Sequence, residues 1–392
     1  MTARSVSQPL SADHNRTGLS FTINGCMFIF GIVLFLVGSL LPTLRVSYAH
    51  AGSLGSIPLI GILAATVVAG PILDIHGAKW MLVVALALIA GSLVLLPSLD
   101  VFWQLELCCL AYGLGGGVLN TATNVLIADL NVESRARALN LLGFFFSAGA
   151  VVAPLLMSVV GGAYSATVVL RLLAVLTAAV LLPVLFFRFP PPLQAGVRIR
   201  NLLTVTHQPM VWLFGLILFF EMGNENCMFV WSGKVVTDAL HVSMAQGSLA
   251  LVALGAALGV GRLGAVVWLR WLGNAGTVWL SVCVAVTGVL IAVAARSLPA
   301  MILAMAVIGL GISAIFPTVL GIAGEYFPGE TGTAFGAILT LGLIGGVAGP
   351  KTGGYAISHG PLHVLWIPTA CVAGVGILTA VATRRRQPAQ PM

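Results

Sequence analysis

Apolar residues in this chain come in long unbroken runs, not in alternation. Runs of about 20 recur near 21–43, 53–73, 79–98, 102–127, 138–160, 164–187, 210–232, 245–266, 276–295, 299–323, 333–357 and 361–382. That length carries an α-helix across about 30 Å of hydrocarbon. The short segments of alternating polarity that a membrane barrel needs are not seen. The pattern predicts an all-α membrane protein with twelve transmembrane helices. The first run is too long for the apolar part of a signal peptide and lacks a small-residue cleavage site, so it is expected to stay as the first helix.

Composition agrees. Hydrophobic residues make up 59% and charged residues 7% of the 392 positions, where a soluble domain would have about a quarter charged. The net charge of +7 is a matter of topology. With both termini in the cytoplasm, the inner side receives Arg4, Arg16, Lys79, Arg135, Arg137, Arg188, Arg198, Arg200, Arg262, Arg270 and Arg384 to Arg386. Of the 18 basic residues this leaves Arg45, Arg171, Lys234, Arg296 and Lys351 for the outer side or the membrane interior. This is the positive-inside bias. Scattered over short loops, these charges do not form a nucleic-acid surface. The six cysteines, Cys26, Cys108, Cys109, Cys227, Cys283 and Cys371, all fall in apolar runs, where small packing residues are the ordinary reading. No phosphate-cradling loop and no His or Cys/His metal constellation is present, so neither an ATP-driven machine nor an enzyme is expected, and no cofactor or metal.

The longest polar interruption, RFPPPLQAGVRIRNLLTVTHQ at 188–208, is near the middle of the chain. It divides the chain into a six-helix bundle over 1–187, a cytoplasmic linker over 188–209 and a second bundle over 210–392. A shift of 196 residues, half the chain, lays YGLGGGVLNT (112–121) over IGLGISAIFP (308–317). It also pairs Asp129 with Glu325, Gly149 with Gly345, Pro154 with Pro350 and Gly77 with Gly273. Such an internal repeat is typical of transporters whose halves rock about a central site.

Between the second and third helices, GPILDIHGAKWML (70–82) resembles the G-x-x-x-D-x-x-G-[RK]-[RK] loop of the major facilitator superfamily, with Gly70, Asp74, Gly77 and Lys79 in its places. Asp at such a turn can accept from helix N-termini on the inner face. GRLGAVVWLRWLG (261–273) stands as a second-half counterpart, with Arg262 near the inner end of the eighth helix. Within that superfamily, GLGGGVLNTATNVLI (113–127), SLLPTL (39–44), GISAIFPTVLGIAGEYFP (311–328) and GGVAGPKTGG (345–354) are similar to the fucose-permease branch of sugar symporters. The resemblance implies two pseudo-symmetric six-helix bundles, alternating access and a cavity lined by helices 1, 4, 7 and 10. It also implies acids in the first and fourth helices, but Gly38 or Ser39 and Asn120 stand there instead.

That departure turns attention to FFEMGNENCMFVWSG (219–233), where Glu221, Asn224, Glu225 and Asn226 interrupt the seventh run. On a helix Glu221, Asn224 and Glu225 share a face. An acid at mid-membrane costs about 2.5–3.5 kcal/mol and ordinarily faces a cavity or a partner. The two acids are candidates for substrate or cation ligands, for proton carriage, or for structural pairing with Lys351 or Arg171. Asn120 and Asn124, at i,i+4, suit either a hydroxyl-bearing solute or contacts between helices. Asn24 and Asn140 are further amides, and Trp231 could stack on a sugar or anchor at the interface. Phe316, beside Pro317, could form a gate or a kink, and Lys351 could be a counter-ion or reach outward to water.

The expected function is secondary transport of a sugar or similar small polar solute, coupled to a proton or sodium ion, by a monomer in a bacterial inner membrane or plasma membrane. Uniport and proton-coupled export of amphipathic compounds are the alternatives. The expected partners are the solute and the lipid bilayer, with no nucleic acid.

Overall fold

The computed structural model describes residues 13–40, 48–99, 101–156, 165–190, 207–242, 244–328, 330–357 and 359–384. Most of the linker expected at 188–209, and part of SLLPTL, lie outside them. The long helices are α1 (Asp13–Leu40), α2 (Tyr48–His76), α3 (Lys79–Leu95), α4 (Phe102–Leu130), α5 (Arg135–Leu156), α6 (Ala166–Phe186), α7 (Pro209–Leu240), α8 (Met244–Ala294), α9 (Leu298–Ile312), α10 (Ile315–Tyr326), α11 (Thr331–Ile357) and α12 (Trp366–Arg384). No strand occurs among the described residues.

Ten of the described segments are long and apolar enough to cross a membrane. One of them, Leu249–Ala294, belongs to α8, which breaks at Gly273, where φ is 67° and ψ −178°. The two arms of α8 are separate crossings, corresponding to the runs expected at 245–266 and 276–295. The expected loop between them is reduced to one left-handed residue. The run expected at 299–323 is broken at Ser313–Ala314 into α9 and α10. With the 22-residue α5 this makes twelve crossings among the described residues.

Bundle packing follows the chain halves: α1 lies on α5, α2 on α4, and α3 on α4 and α6. In the second half α7 lies on α11 and α12, and α9 packs on α8. The duplication is visible in the backbone. Gly77 and Gly273, related by the half-chain shift, are both left-handed, with φ of 79° and 67°. A Cβ on Gly113 would run into the Pro58 carbonyl, and one on Gly309 into the Leu254 carbonyl, which is the same pair moved by half the chain. Both crossings need glycine because backbone meets backbone there, the contact by which membrane helices approach closely. The halves meet where α2 packs on α11 and where α5 packs on α8 and α10.

Candidate functional site

Helix α11 opens with amides that have no acceptor within the helix. Asp74, in the last turn of α2 and buried, supplies one from the other half. Its Oδ1 accepts from the Gly332 amide at 3.1 Å, and Oδ2 accepts from the Thr333 amide at 2.7 Å and the Thr333 hydroxyl at 2.5 Å. A carboxylate there also meets the positive end of the helix dipole. Asp129, at the end of α4, accepts from the Thr331 hydroxyl at 2.9 Å. Gly70 lets the backbones touch, since a Cβ on it would strike the Gly332 carbonyl. Gly77 makes the turn, and Lys79 donates to the Leu185 carbonyl of α6 at 2.7 Å, inside its own half. Asp129, Thr331 and Thr333 are additions to the expected set. The half-chain pairing of Asp129 with Glu325 was the one signal for any of them.

Arg262 lies elsewhere than expected. It is in the first arm of α8, eleven residues before Gly273 and 3% exposed, well inside the helix and away from its inner end. Its Nη2 lies 3.2 Å from Glu225 Oε2 and 3.4 Å from Oε1, while Nη1 donates to the Gly143 carbonyl at 3.1 Å and to the Ser147 hydroxyl at 2.7 Å. Gly143 and Ser147 are on α5, so this contact also crosses between halves. Nε donates to the Ser313 carbonyl at 3.3 Å. Pro317, four residues on, has no N–H to offer that carbonyl, so the break between α9 and α10 leaves an acceptor for Arg262. The guanidinium carbon lies 5.6 Å from the centre of the Phe146 ring.

The acids of α7 therefore differ. Glu225, whose side chain is 15% exposed, is paired with Arg262. Its expected partners do not serve: Lys351 and Arg171 are both exposed. Gly349 and Gly353 pack α11 onto α7, and a residue midway between them points away. Glu221 and Asn224 are each 1% exposed, and neither carboxylate oxygen nor either amide atom has a hydrogen-bond partner among the described residues.

The remaining candidates are dispersed. Asn124 donates to the Asn120 carbonyl at 2.7 Å and to its side-chain oxygen at 3.2 Å, so the α4 amides bind each other. Asn24 donates to the Ser20 carbonyl at 2.9 Å. Asn140 donates to the Thr318 hydroxyl at 3.3 Å, a fourth polar contact between halves. Trp231 donates to the Pro350 carbonyl at 2.8 Å and its ring lies over Gly353 and Gly354, which makes it part of the α7–α11 packing. Phe316 is half-buried against the main core. Phe146, which Arg262 faces, belongs to a cluster of phenylalanines. Phe146 is 5.5 Å from Phe30 and 6.3 Å from Phe35, and Phe35 is 6.0 Å from Phe229 of α7.

A family model described as Major Facilitator Superfamily matches residues 20–350. An uncharacterized MFS-type transporter of Yersinia pestis is 26% identical over 341 residues, 85% of this chain and 83% of its own. The Escherichia coli fucose:proton symporter FucP shares the fold with a TM-score of 0.78 at 19% identity, covering 94% of this chain and 99% of that one. The human organic anion transporter MFSD10 does so with a TM-score of 0.73 at 16% identity, covering 95% and 100%. Twelve crossings in duplicated halves, an aspartate capping α11 from α2, and a family match over most of the length agree: the chain belongs to the Major Facilitator Superfamily of membrane transporters.

Proposed function

We propose that this chain is a secondary active transporter working by alternating access, carrying a sugar or a similar small uncharged polar solute with proton or sodium coupling. The observation that supports it best is the charge balance at Arg262. The buried guanidinium of Arg262, between the halves, has an acid beside it and all three of its nitrogens engaged. A neutral solute can enter such a region without leaving a charge unpaired, whereas an anion would have to displace Glu225. The polar contacts between halves at Asp74, Asp129, Asn140 and Arg262 are localised, as a contact made and broken in each cycle requires. With both termini cytoplasmic, as the basic residues favour, the Asp74 end faces the cytoplasm and is closed.

The phenylalanine cluster that reaches Arg262 through Phe146 favours a second reading, export of amphipathic compounds whose rings would stack there. A binding screen of the purified protein separates the two. Sugars, organic anions and cationic drugs are tested by thermal stabilisation, each with sodium chloride and with choline chloride. Stabilisation by one or more neutral sugars is expected, and stabilisation by the drugs or anions alone would overturn the proposal.

A further inference from the structure

We propose that Glu221 is a proton-binding site, its protonated carboxyl held by Asn224 inside the second half, behind the Glu225–Arg262 pair. The sequence places Glu221 and Asn224 at i,i+3 on α7, where side chains are neighbours. The structure buries both to 1% exposure with four polar atoms unpartnered. Unpaired buried polar atoms are rare, and each asks for an explanation.

Protonation, with a turn of the two side chains that brings them within hydrogen-bond distance, supplies one. A carboxylic acid and a carboxamide match: the acid O–H donates to the Asn224 carbonyl oxygen, and the Asn224 amide donates to the acid's carbonyl oxygen. A carboxylate cannot complete this pair, because it has no hydrogen to offer the Asn224 oxygen. Glu225 is excluded from the role while Arg262 holds both its oxygens.

The titratable and charged groups acting on Glu221 are Glu225 on its own helix, Arg262 from α8 and Cys371 from α12. From α11, Gly345 and Gly349 meet Phe219 and Gly223 on the opposite face of α7. Arg262 is thus the cation within reach once the proton leaves. Drawing it toward Glu221 would loosen its hold on Gly143 and Ser147 of the first half. This use of the proton rests on the transport reading, but the site itself does not.

Infrared difference spectroscopy of the purified full-length protein between acid and alkaline buffers tests the site without any solute. Wild-type protein is expected to show a pH-dependent carbonyl band of a protonated carboxyl that Glu221→Gln removes. Glutamine keeps the size and the pairing with Asn224, so this variant should fold. Asn224→Leu should keep the band and move it to higher frequency, since the acid loses its partner. A pH-dependent band unchanged by Glu221→Gln, or untouched in position by Asn224→Leu, would overturn the proposal. So would a band that sodium chloride abolishes and choline chloride does not, in favour of a sodium site. Failure of the sugar screen would leave the band intact, so the two readings fail separately.

Discussion

Arg262 reaches from one half of the molecule to the other to donate a 2.7 Å hydrogen bond to Ser147. The same guanidinium is paired with Glu225 and engages the Ser313 carbonyl at the break between α9 and α10. Movement of the halves cannot leave this cluster unchanged.

Removing one charge of the pair should be costly. Breaking a buried ion pair by deleting one partner costs about 3–5 kcal/mol, because the other charge is left buried. Glu225→Ala is therefore expected to unfold at lower temperature and to lose transport. The double variant Glu225→Leu/Arg262→Met should regain much of the stability and none of the transport. Thermal unfolding in detergent, together with uptake into vesicles, reads both.

Asp74 holds α11 through three hydrogen bonds from the other half. Hydrogen bonds to a charged group contribute about 1.5–3 kcal/mol each. Even a net loss of about 3 kcal/mol would shift the closed-to-open ratio at this end more than 100-fold. Asp74→Ala should make the amides of Gly332 and Thr333 exchange with deuterium much faster, with solute selectivity unchanged. Unaltered protection in the first turn of α11 would contradict the assignment.

Two glycines separate gating from folding. A Cβ on Gly70 would meet the Gly332 carbonyl of the other half, whereas one on Gly149 would meet the Phe28 carbonyl within its own half. Gly70→Val should give folded protein unable to close at the Asp74 end, while Gly149→Val should lower expression and melting temperature. Size-exclusion profiles and thiol accessibility at an introduced E330C distinguish the outcomes.

Pro317→Ala should restore an N–H to the Ser313 carbonyl and straighten the α9–α10 crossing, taking that acceptor from Arg262. Pro317 stands in the first turn of α10, where proline is tolerated, so stability should hold or rise by about one backbone hydrogen bond. Transport should fall about tenfold or more, on the scale of one lost hydrogen bond to a charged donor.

The crossings and the Asp74 loop were legible because local signals write them: runs of apolar residues, and a Gly–Asp–Gly turn. The repeat was legible because the same glycines fall where the same backbones meet, as at Gly113 and Gly309. The Glu225–Arg262 pair was not. Its residues are 37 apart, and their meeting depends on the depth and rotation of α8 against α7, which no local pattern sets. Gly273 marks an inner turn in the sequence, but how far from that turn Arg262 lies within α8 is set by packing. The role of Ser313 follows from Pro317 by a backbone rule, yet its donor comes from another helix. Trp231 reads from the sequence as a platform for a sugar or an interface anchor, and the structure puts its ring over Gly353 and Gly354 in the α7–α11 packing. Its hydrogen bond to the Pro350 carbonyl depends on the register of α11 on α7, which no local pattern sets.

The contact between α5 and α8 can be locked. A Cβ built on Gly259 would lie 3.9 Å from that of Ser147, within the range a disulfide spans. The double variant S147C/G259C should therefore cross-link on oxidation, with the two single variants as controls for the native cysteines. Uptake of the solute identified by the screen, measured in vesicles before and after reduction of the same sample, gives the answer. Uptake abolished by the cross-link and recovered with reductant is expected if the halves part along this seam in each cycle. Uptake that continues at the reduced protein's rate while the cross-link is intact would contradict it.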